Sequence, residues 1–278
     1  MTTSDPRVTY RTEHDGRIAV VSLNRPRYRN ALSFQTMDEL DAAFARAVED
    51  DEVRVIVLRG EGPVFSAGHD LGSPDMTPRQ PSENRTRAMY ERTWQLDIAH
   101  YLRYREIPKP TVAAVHGACL LAGWMLASSM DVVFAADHTE FLFSDIEYFS
   151  MPWDIGMRTT KAIAFENRFM TTQEVVDLGF VYEAVPAADL EDRVFEYARR
   201  VAEQDTFRLR MMKLSLNQMQ DMMGFTNHII SHHTGWAVSR SGSGTPDVGE
   251  VQGRAHGIVA HARTAPRNPK SSRRGDAK

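Results

Sequence analysis

Residues 107–136 read IPKPTVAAVHGACLLAGWMLASSMDVVFAA, and this stretch decides the fold class. The small and β-branched residues 111–115 predict a buried strand. A turn at His116 and Gly117 follows, and the apolar residues 118–130 predict a helix in the core. Residues 131–136 predict a second strand. Strand, helix and strand in this order favour a βαβ unit and a parallel sheet.

The N-terminal residues extend the same α/β alternation. Two apolar-rich runs on either side of Asp15-Gly16 predict a β-hairpin within residues 8–23. Ser33 is a plausible N-cap for a helix that ends near Glu49. Residues 53–58, VRVIVL, then predict another buried strand.

The C-terminal part is predicted to be mainly helical. Thr171 with Glu174 forms a capping-box pattern, and Gly179 fits the end of that short helix. Further helices are predicted at about 188–203, 206–223 and 225–238. We therefore divide the chain into a core over residues 1–200, a helical region over 201–238 and a flexible basic tail over 239–278.

Composition excludes several classes of protein. The 278 residues carry 33 Lys and Arg against 37 Asp and Glu, a formal charge of −4, with one cysteine. A single cysteine forms no internal disulfide and no multi-cysteine metal site. The chain lacks the basic character of a nucleic-acid binder. Residues 118–130 are too few to span a bilayer and the N-terminus has no apolar signal, so we expect a cytoplasmic protein without membrane contact.

Two glycine-containing turns place backbone N–H groups where an anion could bind. One is Ala67-Gly68-His69-Asp70-Leu71, directly after a predicted strand. The other is Leu120-Leu121-Ala122-Gly123, near the start of the predicted core helix, where the helix dipole favours negative charge. A pair of such donors aimed at one oxygen is an oxyanion hole.

Four motifs in order make the chain resemble the crotonase (enoyl-CoA hydratase/isomerase) superfamily. They are NRPRYRNAL at 24–32, VRVIVLRGEGPVFSAGHDL at 53–71, the stretch 107–136 quoted above, and TTQEVVDLGFVYEAVP at 171–186. The resemblance covers about residues 8–216. It implies a spiral of ββα units with a C-terminal helical trimerisation region. It also implies an acyl-CoA substrate, no cofactor apart from the coenzyme A of that substrate, and a homotrimer or dimer of trimers.

The resemblance also implies roles for individual residues. The N–H groups of His69 and Ala122 match the family's two oxyanion donors. The backbone of Ala67 and Leu71 matches positions that meet the adenine. Arg27 and Arg29 are candidates for the coenzyme phosphates, although solvated surface arginines are an equal alternative. For His69 the family generally uses only the N–H, and a role for its side chain stays open.

The acid–base residues depart from the family pattern. The position of the first catalytic glutamate holds Met125, which cannot transfer a proton. An ungapped match places Asp145 at the second glutamate, and Asp154 lies near the nucleophilic aspartate of a dehalogenating branch. Glu147 is a third candidate in the same segment. We predict Asp145 first and Asp154 second as the acid–base group, each with a structural capping role as the alternative.

The expected function is an enoyl-CoA hydratase/isomerase-like reaction through an enolate held at the oxyanion hole. Because Met125 replaces the first glutamate, a reaction that needs one carboxylate fits better than hydration by two. One alternative is an acyl-CoA hydrolase or C–C bond-cleaving enzyme that uses an aspartate. Another is a non-catalytic protein that binds CoA esters. We expect no metal site, and His228, His232 and His233 are expected at a surface or interface.

Overall fold

A computed structural model describes residues 5–73, 75, 85–144, 146–241 and 248–265. Its main sheet has six strands in the order β1-β2-β3-β4-β6-β8. Two further strands, β5 and β7, pair in a second, small sheet. The strands are β1 (Val8–Glu13), β2 (Ile18–Leu23), β3 (Val55–Gly60), β4 (Thr111–Val115), β5 (Ala118–Leu120), β6 (Val132–Ala136), β7 (Glu140–Leu142) and β8 (Glu183–Val185).

The helices alternate with the strands along the chain and then dominate its C-terminal part. They are α1 (Phe34–Glu49), α2 (Arg85–Thr93), α3 (His100–Arg105), α4 (Ala122–Ser128), α5 (Met151–Asp154), α6 (Met157–Glu166), α7 (Thr172–Asp177), α8 (Leu190–Ala202), α9 (Thr206–Met222), α10 (Phe225–Ser241) and α11 (Val248–Thr264). A π-helical segment, Trp94–Ala99, joins α2 directly to α3. None of the helices among the described residues combines the length and apolar character needed to cross a membrane.

The predicted hairpin and parallel sheet are confirmed. β1 and β2 pair antiparallel, whereas β2, β3, β4, β6 and β8 pair parallel to their neighbours. His14, Asp15 and Gly16 all have positive φ in the connecting turn, which explains why an Asp-Gly sequence occurs there. The capping interactions at Ser33 and at Thr171 with Glu174 are also present.

Both faces of the main sheet are buried, so its strands read as continuous apolar runs. In β2, Ala19 and Val21 pack with α1 in the larger core, whereas Ile18 and Val20 pack with α8 on the opposite face. Burial on both faces is the usual condition of parallel sheets. This arrangement leaves the loops at the ends of the strands free to build a site.

The predicted core helix over residues 118–130 is wrong in its first part. Residues 118–120 form β5, which pairs with β7, and α4 begins only at Ala122. Leu121 separates the two elements with φ of 51° and ψ of −112°, a conformation that a helix interior cannot contain. An apolar run alone does not distinguish a buried strand from a buried helix, which explains the error.

The end of the chain also differs from the expectation of a flexible tail over 239–278. α10 continues to Ser241, and residues 248–264 form α11. Ala262 is buried, and Ile258 and Val259 pack beside it against Val64 and Leu142. The three residues lie on one side of a helix, and their small number made this apolar face easy to miss.

Asn30 ties the loop before α1 to the loop after β3. Its amide nitrogen donates to Glu61 O and Val64 O, each at 2.8 Å, and its side-chain oxygen accepts from Arg25 N at 2.9 Å. The side chain is buried. Because all three partners are backbone groups, Asn30 fixes the path of the chain without depending on a neighbouring side chain.

We expect Asn30→Ala to lower the free energy of unfolding by about 2–4 kcal/mol, because it leaves buried backbone groups without partners. Asn24→Ala removes one peripheral bond, to Pro6 O, and is the matched control, with an expected loss below about 1 kcal/mol. Urea denaturation of both variants measures the difference. Equal losses would contradict this role for Asn30.

Candidate active site

The two glycine-containing turns predicted from the sequence lie against each other. Ser66 N donates to Ala118 O and Leu120 N donates to Ser66 O, each at 3.1 Å. A Cβ on Gly68 would lie 2.9 Å from Leu120 O, and one on Gly123 would lie 2.8 Å from Ser66 O. Gly68 also has φ of +96°. Glycine is therefore required at both positions to let the two backbones approach.

This close approach brings the N–H groups of His69 and Ala122 to the same region. Ala122 N lies 3.3 Å from the position that a Cβ on Gly68 would occupy. Leu32 pairs with Gly68 O and Asp70 N, which directs the N–H of His69 away from Leu32. Neither N–H has a hydrogen-bond acceptor within the described part of the chain. Two such donors can stabilise negative charge on a single oxygen.

A buried ion pair shapes the loop that carries His69. Arg25 Nη2 lies 2.8 Å from Asp70 Oδ2, and both side chains are almost completely buried. Asp70 also accepts from Gly72 N and Ser73 N. Burial by itself would raise the pKa of Asp70, but the hydrogen bonds from Ser73, Gly72 and Arg25 outweigh it and lower the pKa.

The side chain of His69 belongs to a cluster that the sequence analysis did not assemble. His69 Nε2 lies 2.6 Å from Asp97 Oδ1. Glu147 is the third member, and the nearest ligand-type atoms of the three residues all lie within 4.8 Å of one another. Asp97 is 1% exposed and Glu147 is 8% exposed, so both carboxyl groups are held away from bulk water. A buried acidic pair beside an imidazole is suited to holding or moving a proton.

The pKa values of the cluster depart from their ordinary values for identifiable reasons. Burial lowers the pKa of His69, but the negative charges of Asp97 and Glu147 and the hydrogen bond to Asp97 outweigh it and raise the pKa to about 9. Burial and the charge of Asp97 raise the pKa of Glu147 to about 7, against the opposing effect of His69. At neutral pH the imidazole is therefore charged, and Glu147 exchanges its proton readily.

The π-helical segment places Asp97 in this cluster. A π-helix contains an extra residue per turn, so it rotates the side chains beyond it relative to an uninterrupted α-helix. Leu96, Asp97 and Ile98 are all buried there. The apolar residues of segment 86–105 stand at a spacing that predicts a helix, but nothing in that spacing predicts a bulge. The available signal was Asp97 itself, an acidic residue four positions before the apolar Tyr101.

Glu147 lies between two anchored neighbours. Ile146 O accepts from His232 Nε2 of α10 at 3.0 Å. Tyr148 N donates to Met125 Sδ of α4 at 3.3 Å. Hydrogen bonds thus hold the residue before Glu147 and the residue after it. They fix the backbone position from which the Glu147 side chain extends.

His69, Asp97 and Glu147 are residue types that bind metal ions, but their spacing favours a shared proton. Two ligands of a tetrahedral zinc ion are about 3.3 Å apart, given metal–ligand bonds of about 2.0–2.1 Å. The 2.6 Å between His69 Nε2 and Asp97 Oδ1 is shorter and is that of a charge-assisted hydrogen bond. The histidines of α10 contact other groups: Trp153 Nε1 lies 3.1 Å from His228 Nδ1, and His233 Nε2 lies 2.7 Å from Thr93 Oγ1.

Asp154 lies at the opposite end of α4 from Ala122. It accepts from Ser128 Oγ at 2.8 Å, Ser150 Oγ at 2.9 Å and Trp124 Nε1 at 3.2 Å. Ser128 is six residues beyond Ala122, or about 9 Å along the helix axis. Burial raises the pKa of Asp154, and the three hydrogen bonds oppose this. These contacts tie α4 to α5, and Asp154 lines a separate cavity of about 250 Å³ with Phe180 and Tyr182.

The remaining predicted site residues lie partly beside the oxyanion loop and partly away from it. Asp145, the first acid–base candidate, lies outside the described residues. Met125 is fully buried in α4. Arg29 O accepts from Ala67 N at 2.9 Å, so this arginine lies beside the loop of Ala67 and Leu71. Arg27 and Arg29 are both exposed. The structure thus brings His69, Ala122, Ala67, Leu71 and Arg29 together and leaves Asp154 apart.

Comparison with known proteins shows which family the chain matches. Residues 13–230 match the enoyl-CoA hydratase/isomerase family. The chain belongs to the enoyl-CoA hydratase/isomerase family. Its fold is the mixed α/β crotonase fold that the sequence predicted, with helices at the C-terminus.

Members of this family with known names or structures are moderately similar to the chain. EchA13 of Mycobacterium tuberculosis, which carries an enoyl-CoA hydratase name, is 38% identical over 79% of this chain and 76% of its own length. A 4-chlorobenzoyl coenzyme A dehalogenase of Arthrobacter is 30% identical over 80% of this chain and 81% of its own length. The crystal structure of a probable enoyl-CoA hydratase from Mycobacterium thermoresistibile is 36% identical, has a TM-score of 0.75, and covers 84% of this chain and 98% of its own.

We expect Gly68→Ala to weaken the site sharply, since its Cβ would press on Leu120 O and Gly68 has positive φ. Moving one donor out of place is expected to cost about 100-fold in turnover of an acyl-CoA substrate. Gly235→Ala is the control, because nothing lies within 4 Å of the added Cβ. Full turnover in Gly68→Ala, with Gly235→Ala unchanged, would show that the approach of the two turns is unimportant.

Proposed function

We propose that this protein is an enzyme that acts on an acyl-CoA thioester and stabilises an enolate on the thioester oxygen. The observation that carries the proposal is the pair of N–H groups of His69 and Ala122, which lack acceptors within the described residues and lie beside each other. The thioester oxygen would receive both hydrogen bonds. As the substrate loses a proton, negative charge grows on that oxygen and the two bonds strengthen.

Coenzyme A would lie along the exposed side of the same loop. The backbone of Ala67 and Leu71 would meet the adenine, as the resemblance implies. The phosphates would meet Arg29 and the nearby Arg27. The carbonyl oxygen of Arg29 accepts a hydrogen bond from Ala67 N, which places this arginine beside the loop. Membership in the family supports an acyl-CoA substrate, and the solvent exposure of both guanidinium groups is compatible with phosphate binding.

We further propose that the reaction uses one carboxyl group and is migration of a double bond rather than addition of water. Hydration by two glutamates requires a second carboxylate on α4, where this chain has Met125. Met125 is fully buried and its sulfur accepts the N–H of Tyr148. It cannot hold or activate a water molecule. Double-bond migration needs only removal of a proton and its return to another carbon.

The second candidate, hydrolysis or dehalogenation with a nucleophilic aspartate, has less support. One relative is named a 4-chlorobenzoyl coenzyme A dehalogenase, and Asp154 is the predicted counterpart of a nucleophile. Asp154 is instead bonded to Ser128, Ser150 and Trp124. A carboxylate engaged by three donors at the far end of α4 is poorly placed to attack a thioester at Ala122.

The first test is incubation with a 3-enoyl-CoA and, separately, with a trans-2-enoyl-CoA in heavy-oxygen water. We expect the 3-enoyl-CoA to be converted to the 2-enoyl isomer, which chromatography separates at unchanged mass. We expect the 2-enoyl-CoA to incorporate no labelled water. Efficient incorporation would show hydration despite Met125 and contradict the one-carboxylate reaction. Tight binding of both esters without any conversion would favour a non-catalytic CoA-ester-binding protein.

We propose that the chain assembles as a homotrimer or dimer of trimers through α9. Met212, Leu216, Met219 and Met223 are exposed at helical spacing and form one apolar stripe. An exposed stripe of this kind marks a protein contact, and a second copy of the chain is the partner that the resemblance implies.

Light scattering after size-exclusion chromatography is expected to give three or six times the chain mass of 31.4 kDa. Leu216→Glu should reduce this mass, because it places a charge within the stripe. Gln204→Glu adds the same charge at an exposed position outside α9 and should leave the mass unchanged. A monomeric wild-type protein would contradict the proposed assembly.

A further inference from the structure

Two members of the cluster, Asp97 and Glu147, have no role assigned by the resemblance, which uses only the N–H of the third member, His69. The location of the cluster is informative, because His69 contributes its N–H to the proposed oxyanion site and its imidazole to the cluster. The oxyanion site and the cluster are therefore separated by the length of the His69 side chain. Glu147 lies within 4.8 Å of that imidazole. Among the described residues of the segment 145–154, it is the carboxyl group that contacts the oxyanion loop.

We infer that Glu147 is the catalytic acid–base group, and that Asp97 is a positioning residue that acts through the imidazole of His69. The inference deepens the proposed function and rests on it. Asp97 Oδ1 lies 2.6 Å from His69 Nε2 and holds the His69 side chain in place. It thereby positions the residue whose N–H donates to the enolate oxygen. Glu147 lies within 4.8 Å of the same imidazole, on a backbone whose neighbouring residues are held by His232 and Met125.

The proposed step is balanced without a further reactant. The carboxylate of Glu147 takes a proton from the α-carbon of the acyl group. The electron pair of that C–H bond forms a carbon–carbon double bond, and the thioester π-electrons move to the oxygen. The N–H groups of His69 and Ala122 donate hydrogen bonds to the oxyanion. In double-bond migration, the Glu147 carboxyl group then returns its proton to the γ-carbon and the oxyanion collapses to the thioester.

The charges around the cluster support this division of roles. Burial and Asp97 keep the Glu147 carboxyl group basic enough to accept a proton near neutrality, since they raise its pKa to about 7. Asp97 keeps His69 positively charged, and that charge lies beside the developing oxyanion. The other charged or titratable groups that act on the cluster come from the surrounding helices; they are Arg92 of α2, Tyr101 of α3, and His233 and Arg240 of α10. Arg240 lowers the pKa of Glu147, but more weakly than His69 does.

The test measures exchange of the α-protons of butyryl-CoA in heavy water, which requires enolate formation but no complete reaction. We expect Glu147→Gln to lower the exchange rate at least 100-fold while the dissociation constant for butyryl-CoA changes less than threefold. Glu147→Asp keeps a carboxyl group and should retain measurable exchange. Glu140→Gln, in β7, is the control and should exchange at the wild-type rate. If Glu147→Gln exchanges within threefold of the wild-type rate, Glu147 is not the acid–base group.

The positioning role of Asp97 needs a separate measurement, made by NMR titration of labelled histidine. We expect the pKa of His69 to be about 9 in the wild-type protein and to fall by at least two units in Asp97→Asn. The same variant should lower the maximal exchange rate at least tenfold with KM unchanged. Asp41→Asn removes the partner of His100, which lies 3.0 Å away, and is the matched histidine–aspartate control with no expected effect on exchange. A wild-type His69 pKa near its ordinary value would overturn the pairing.

The pH profile provides a third readout. Exchange should increase as pH rises through about 7, because Glu147 must be deprotonated to act as a base. His69→Gln removes a positive charge beside Glu147, so the pKa of Glu147 should rise and the profile should move to higher pH. A shift to lower pH would contradict the proposed cluster. A chelator should leave exchange unchanged, and loss of exchange that a divalent cation restores would overturn the proton-transfer role in favour of a metal site.

These outcomes separate the inference from the proposed function. Wild-type protein that binds no acyl-CoA would overturn both, and the His69 titration would still report whether Asp97 pairs with it. Wild-type exchange that persists in Glu147→Gln but is lost in Asp145→Asn would retain the proposed function and overturn the inference.

Discussion

The site depends on how closely two backbone segments approach each other. The loop of Ser66 to His69 lies against the turn of Leu120 to Gly123, with main-chain hydrogen bonds on one side and glycines where side chains would collide. This contact joins two parallel βα connections into one surface. It also determines which N–H groups remain unpaired, because the bonds to Leu32 and Ala118 use the others. The unusual backbone of Leu121 is part of the same constraint, since it ends β5 and begins α4 within one residue.

Electrostatics then distinguish the two sides of the loop. On one side, Arg25 contacts both Asp70 and Asp75, and Arg7 also contacts Asp75, so each carboxylate has a guanidinium partner and the loop is held in shape. On the other side, His69 faces two carboxyl groups, so the balance of charge is unequal. The first arrangement suits a permanent structural contact. The second arrangement lowers the stability of the fold unless the groups share protons. Titratable groups with shifted pKa values of this kind are common at functional sites.

Much of the fold was predictable because it depends on local patterns. The hairpin at Asp15-Gly16, the N-cap at Ser33, the capping box at Thr171 and the alternation of strands and helices depend on neighbours in sequence. The division of residues 118–130 into a strand and a helix was not predictable, because it depends on pairing with β7. The helix α11 was missed because only three apolar residues among those described, Ile258, Val259 and Ala262, form its packed face.

The site was predictable in its backbone and not in its side chains. His69 and Ala122 occupy positions that a motif defines, so the resemblance could assign their N–H groups to the oxyanion site. Asp97 was not identified, since its arrival beside His69 requires both the π-helix and a contact across 28 residues. Glu147 was one of three acidic candidates, and its position beside His69, which the sequence does not reveal, separates it from Asp154.

The π-helical segment Trp94–Ala99 makes the site sensitive to the number of residues in the helix before β4. Such a segment is, in effect, an α-helix with one residue too many. Six π-helical residues turn through about the same angle as five α-helical residues, so deleting a single residue there would restore regular α-helix and leave α2 and α3 in nearly the same relative orientation. Only the side chains within the segment, Asp97 among them, would change direction. A carboxylate could enter or leave the site in this way without any substitution at the site. The number of residues in this helix therefore bears on the site as directly as the identity of any one of them.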